Sequence, residues 1–185
     1  MWMQEASAVA TGVGVGNSTF PRENEEQVCD GDRAHRLSFN GGPSIDADTR
    51  GSIQAVVGKV SETSDGRQTA ELTVTGTSTD GYVEGVGHLQ ITLDKNKPSV
   101  PSSLTANQKE APFPATQTMR FYPLFILNDE VFSSDTPVDV VNSNVKSFPP
   151  EPGTVYVLTN DVTLVSEKGN KIDLIPGEAF TITGK

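Results

Sequence analysis

Apolar and polar residues alternate with period two over much of this chain, and the pattern is clearest in residues 52–94. Ala70, Leu72 and Val74 alternate with Glu71, Thr73 and Thr75. Leu89, Ile91 and Leu93 alternate with His88, Gln90, Thr92 and Asp94. Strict alternation describes a strand with one dry face and one wet face. Asp65-Gly66 and Asp80-Gly81 interrupt the pattern. Asp-Gly suits a tight hairpin because such turns need positive φ. The expectation is a three-stranded antiparallel meander with turns at 65–66 and 80–81.

The last forty or so residues follow the same style. "TVYVLT", "DVTLVSE", "NKIDLI" and "EAFTITG" are short runs separated by Asn160-Asp161, Gly169-Asn170 and Pro176-Gly177. Each break carries turn chemistry, so a second meander is expected. Between the meanders, residues 97–117 hold Pro98, Pro101, Pro112 and Pro114, which forbid a central strand. Ser102 or Ser103 could cap a short helix through "LTANQKEA". Residues 118–127, "TMRFYPLFIL", carry large side chains on both faces, as expected of a strand covered on both. Pro123 demands an edge or a bulge there. Sustained helical periodicity occurs nowhere. "HRLSFNGG" reads as a strand ending in a turn, and "FPRENEEQVCDGDR" as an acidic loop.

The expected fold is therefore all-β. It is an antiparallel β-sandwich, or flattened barrel, of two meanders joined by a Pro-rich crossover, with at most one or two short helices. The preferred organisation is one domain over 1–185, with residues 1–16 a small-residue N-terminal arm. Ala6 to Val15 of that arm are expected to hydrogen-bond to a strand, because sixteen ordered residues need many contacts.

Charge narrows the partners. The formal net charge is −10, and an acidic surface disfavours nucleic acid and anionic membranes. No stretch approaches 18 apolar residues, so no membrane-spanning helix is expected. The N-terminus lacks the basic and apolar regions of a signal peptide. The location is left between cytoplasm and export by another route. Cys29 is the one cysteine, so an intrachain disulfide has no partner. Its acidic neighbours are expected to raise its pKa and blunt its reactivity.

Candidate chemistry is sparse. "DADTRG" places Asp46, Asp48 and Gly51 at positions 1, 3 and 6 of a calcium loop. Position 5 is Arg50 and position 12 is Val57, where ligands are required. The better reading is a turn before a strand at 52–61. Asp30 and Asp32 in "CDGD" are metal candidates of the same weak kind. His35 and His88 read as surface residues. Tyr82, Tyr122 and Tyr156 are candidates for sugar stacking, but strand tyrosines more often pack. No G-x-S-x-G occurs, and Gly12, Gly14 and Gly16 do not complete a nucleotide fingerprint. No catalytic residue and no cofactor is expected.

Three functions follow in order of preference. The first is a non-catalytic structural or assembly protein that associates with itself or another protein. The second is a ligand-binding β-domain for carbohydrate or a small apolar molecule. The third is a hydrolase or isomerase on a β-scaffold.

Overall fold

The computed structural model describes residues 19–183, and over them the chain is one antiparallel sheet of 13 strands without a helix. Three long strands come first: β1 (Glu26–Phe39), β2 (Ser44–Glu62) and β3 (Gln68–Val83). They form a continuous ribbon. β1 runs against β2 from Glu26↔Val56 to Ser38↔Ser44, and β2 against β3 from Ala47↔Val83 to Glu62↔Gln68. The other strands are shorter: β4 (Gly87–Leu93), β5 (Ser102–Ala106), β6 (Ala115–Phe121), β7 (Pro123–Leu127) and β8 (Glu130–Ser133). After them come β9 (Val138–Val145), β10 (Val155–Leu158), β11 (Val162–Ser166), β12 (Lys171–Ile175) and β13 (Gly177–Ile182).

These short strands close the ribbon twice. In one ring β4, β7, β8, β11 and β12 lead from Ser78–Val83 of β3 round to Arg36–Phe39 of β1. In the other, β5, β6, β9, β10 and β13 lead from Thr69–Leu72 of β3 to Gly31 and Asp32 of β1. The two rings share β1, β2 and β3. Closure of this kind leaves few unpaired edges.

Proline marks the points where the chain changes ring. β6 belongs to one ring and β7 to the other, and Pro123 opens β7. Pro176 separates β12 from β13, which pair with different parts of β1. A residue without an N–H fits where the ladder changes partners. Glycine lets the shared strands bend. A Cβ on Gly51 would lie 2.0 Å from the Ser78 carbonyl oxygen, and one on Gly81 2.1 Å from that of Asp48. Neither approach is sterically open to a side chain.

The inward faces build two apolar clusters. The larger includes Leu37, Val83, Leu89, Phe125, Phe132, Leu164, Ile172, Tyr156 and Phe180. The smaller holds Val57, Ala70, Leu72, Leu104, Ala115 and Phe148. The alternation read at 70–75 is confirmed, with Ala70, Leu72 and Val74 buried.

Several expectations are corrected. The first hairpin turns at Asp65-Gly66, with Gly66 at φ +83°. Asp80 and Gly81 lie inside β3, paired with Gln90 and Leu89, because β2 extends back to Ser44 and supplies a partner. The turn falls instead at Glu84-Gly85, where Val86 N–H donates to the Val83 carbonyl and Gly85 has φ +71°. The "LTANQKEA" segment begins as strand β5 rather than a helix, since β3 and β6 offer it two edges. The last four strands are strands as read, but only β11 and β12 form a hairpin, and β10 pairs with β9 and β13. In 118–127, Met119, Phe121, Phe125 and Leu127 are buried, while Tyr122, Leu124 and Ile126 are partly covered. The N-terminal arm and its Ala6–Val15 expectation lie outside the described residues.

Candidate functional site

The acidic candidates sit on the outer faces of strands. Asp46 and Asp48 belong to β2, not to a turn, because β1 pairs with that whole segment. Asp46 lies 3.4 Å from Arg36, and Asp32 on β1 lies 2.8 Å from Arg50. Asp30 is also on β1, so the acidic "loop" is strand from Glu26 onward. Arg50, the cation that spoils the calcium-loop pattern, pairs with Asp32. Among the described residues no three His, Cys, Asp or Glu side chains gather as a metal site would require. His88 is exposed as expected, with Nε2 2.9 Å from both Asp80 carboxylate oxygens.

The inward face of β1 is different. Alternation carries Gln27, Cys29, Gly31, Arg33, His35 and Leu37 to the inside, and Glu26, Val28, Asp32 and Arg36 to the outside. The end of β1 next to Arg33 pairs with β13, and the end beyond His35 pairs with β12. Arg33 and His35 therefore stand where the two rings join. Arg33 is 4% exposed. Its Nη2 donates to Thr77 Oγ1 at 2.6 Å and to the Ser52 carbonyl at 3.3 Å. Its guanidinium lies over the Phe180 ring, 5.1 Å from the centroid. Its Nε is buried without a partner. Burial pushes its pKa down to about 9, which still leaves a cation at neutral pH.

The surface placement expected for His35 is corrected. The ring lies edge-on to Phe125 at 6.1 Å, and its Nε2 is buried without a partner. The residue as a whole is half-buried, and it lines a cavity. Burial, with repulsion from Arg33, pushes its pKa down to about 3 and holds the imidazole neutral. Thr49, opposite Arg33 in register, also carries a buried hydroxyl without a partner, as does Thr79.

The cavity has a volume of about 40 Å³. Among the described residues Arg33 and His35 are the only charged or titratable ones that line it, and Ile53, Ile91, Phe125, Val140, Leu174 and Phe180 are typical of the rest. A site of this composition offers hydrogen-bond donors and one positive charge within apolar walls. That combination orients a bound molecule through few polar contacts. A second cleft, of about 250 Å³, lies between β3, β4 and the β6–β7 kink, with Lys95, Lys97 and Arg120 on its wall. Two of its cations are already occupied, Lys97 by Asp135 and Arg120 by Asp139.

Next to the junction lies a satisfied polar chain. Tyr156 Oη donates to Gln117 Oε1 at 2.5 Å, Gln117 Nε2 to Gln27 Oε1 at 2.9 Å, and Gln27 Nε2 to Cys29 Sγ at 2.9 Å. Burial is the main cause of the rise in the Cys29 pKa to about 11, and Asp30 adds a smaller part. The acidic neighbours named from the sequence are therefore a secondary cause. Tyr156 is fully buried, Tyr82 is exposed beside His88, and Tyr122 lies under the Lys97 ammonium. The three do not converge on a sugar platform.

No family model matches the chain, and no curated protein matches it. The chain is similar to a solved structure, that of DynF from the dynemicin biosynthesis pathway of Micromonospora chersina. The similarity covers 98% of this chain and 90% of that one, with a TM-score of 0.77 at 13% identity. It establishes a shared fold. It also overturns the first functional expectation, a structural or assembly role, because DynF, which shares this fold, comes from a biosynthetic pathway. The self-association attached to that role has no support in the described residues. Among those residues no helix is long and apolar enough to cross a membrane.

Proposed function

We propose that the chain is a single β-domain that binds a small, mainly apolar molecule in the cavity where its two rings join. One observation carries the reading: an apolar-walled cavity is lined by Arg33 and His35, each with a buried polar atom lacking a partner. Buried polar atoms in native proteins are nearly always hydrogen-bonded, so unpaired ones facing a cavity point to a missing partner. The fold shared with a protein of a biosynthetic pathway favours a small-molecule role over a structural one. The cavity, of about 40 Å³, admits only a few atoms, so a larger molecule would seat one end there. The apolar lining favours such a molecule over a carbohydrate, whose hydroxyls need many polar partners.

Thermal melting tests this. A ligand that binds only the folded state raises the melting temperature in a saturable way. Propionamide and 1-butanol at millimolar concentration should do so for the full chain. They should fail to do so for a Leu174→Trp variant, whose added ring fills the cavity. Equal response of both proteins would remove the cavity from the account.

A further inference from the structure

We infer that the molecule received in the junction cavity is an organic anion, and that Arg33 selects it through its carboxylate. The inference rests on the ligand-binding reading and sharpens it to a chemical class. Its first support is a contrast within the molecule. Arg36, Arg50, Arg67 and Arg120 each lie within 4.0 Å of an aspartate, all on or near the surface. Arg33 is the arginine placed in the interior, and among the described residues no carboxylate pairs with it, although the chain holds 24 acidic residues. A buried charge without a counter-ion is costly, and natural folds pair it with another charge or a ligand.

The second support is geometry. Two neutral oxygens, Thr77 Oγ1 and the Ser52 carbonyl, hold Nη2 alone. The guanidinium carbon lies over the Phe180 ring. Among the described residues Nε is buried without a hydrogen-bond partner, so one charged N–H of the guanidinium is left open. A charged N–H donor in a buried site is matched best by an anionic oxygen, such as one of a carboxylate. His35, two residues along the same inward face, adds an unpaired Nε2 on the same cavity. The other walls are apolar, and a surround of low polarity strengthens each charge-assisted bond. The fit is to a carboxylate carried on a short apolar body.

The test compares two probes of one shape, propionate and propionamide, by methyl NMR titration of the full chain. Propionate should bind wild type about tenfold more tightly than propionamide. Arg33→Met should erase that preference, and Arg33→Lys should restore part of it. Arg33→Met should also melt at or above the wild-type temperature, because a buried unpaired charge is removed. If that variant does not fold, the wild-type ratio of the two probes decides alone. Equal affinities in wild type overturn the inference and leave the ligand-binding reading standing. Propionate preference that survives in Arg33→Met also overturns it. Failure of both probes to bind overturns the inference together with the reading beneath it.

Discussion

Arg33 lies over the Phe180 ring across β1 and β13, with the guanidinium carbon 5.1 Å from the ring centroid. Gly31 makes the contact sterically available. A Cβ at Gly31 would lie 2.6 Å from the Phe180 ring and 2.3 Å from the Thr181 carbonyl oxygen. Gly31→Ala should therefore displace both the ring and the β1–β13 pairing. The expected loss is about 1–3 kcal/mol, typical of overpacking. Urea denaturation with an unchanged slope would measure it. A loss below a few tenths would show that the ring shifts freely.

Two glycines four positions apart in one hairpin neighbourhood, Gly81 and Gly85, should respond differently. That neighbourhood spans the end of β3 and its turn to β4. Gly81→Ala drives a Cβ against the Asp48 carbonyl and the Thr49 backbone. Gly85→Ala meets nothing within 4 Å, and its cost is only the positive φ of +71°. The second change should cost about 1 kcal/mol, and the first clearly more. Paired melting curves of the two variants would decide. The reverse order would place the turn back at Asp80-Gly81.

The Tyr156–Gln117–Gln27–Cys29 chain should behave as a structural unit. Tyr156→Phe leaves Gln117 Oε1 without its donor in a buried site, at about 1–3 kcal/mol. Cys29, buried and with its pKa raised to about 11, should not react with a thiol reagent such as DTNB while the protein is folded. Its labelling rate should follow global unfolding. Rapid labelling of the native protein would contradict the burial described.

Stability should depend on acid through His35. Its pKa in the fold is about 3, against an ordinary value of 6.5. The unfolded chain therefore binds a proton that the folded chain refuses between these values. The stabilisation is fully present above pH 6.5 and is lost as pH falls toward 3, with a slope of at most about 1.4 kcal/mol per pH unit. Arg33 is the one charged group facing the imidazole, and the other cavity walls are apolar. His35→Met should flatten the slope in that window. Identical pH profiles for the two proteins would show that His35 is reached by solvent.

Local structure was legible where alternation and turn chemistry agreed. The β2–β3 hairpin at Asp65-Gly66 and the dry face of Ala70, Leu72 and Val74 are of that kind. Pairing was not legible for β10 to β13, because each strand's partner depends on which ring it enters, a long-range property. β5 was hidden by Pro98 and Pro101 just before it and by its small apolar content, Leu104 and Ala106. The site itself was missed because acidic residues flanking Cys29 resemble a loop by composition. Strand phase held the clue: Cys29, Leu37 and Phe39 share parity with Arg33 and His35. A continuous strand from Glu26 would have turned both inward.

The most direct test of the account is where a small neutral molecule binds. Titration of the full chain with propionamide, followed by methyl NMR, should give saturable shifts at Ile53, Ile91, Val138, Val140, Leu158 and Leu174, which line the junction cavity. Saturable shifts at Val74, Leu93 and Val100 of the outer cleft instead, or no saturable shift at all, would contradict it.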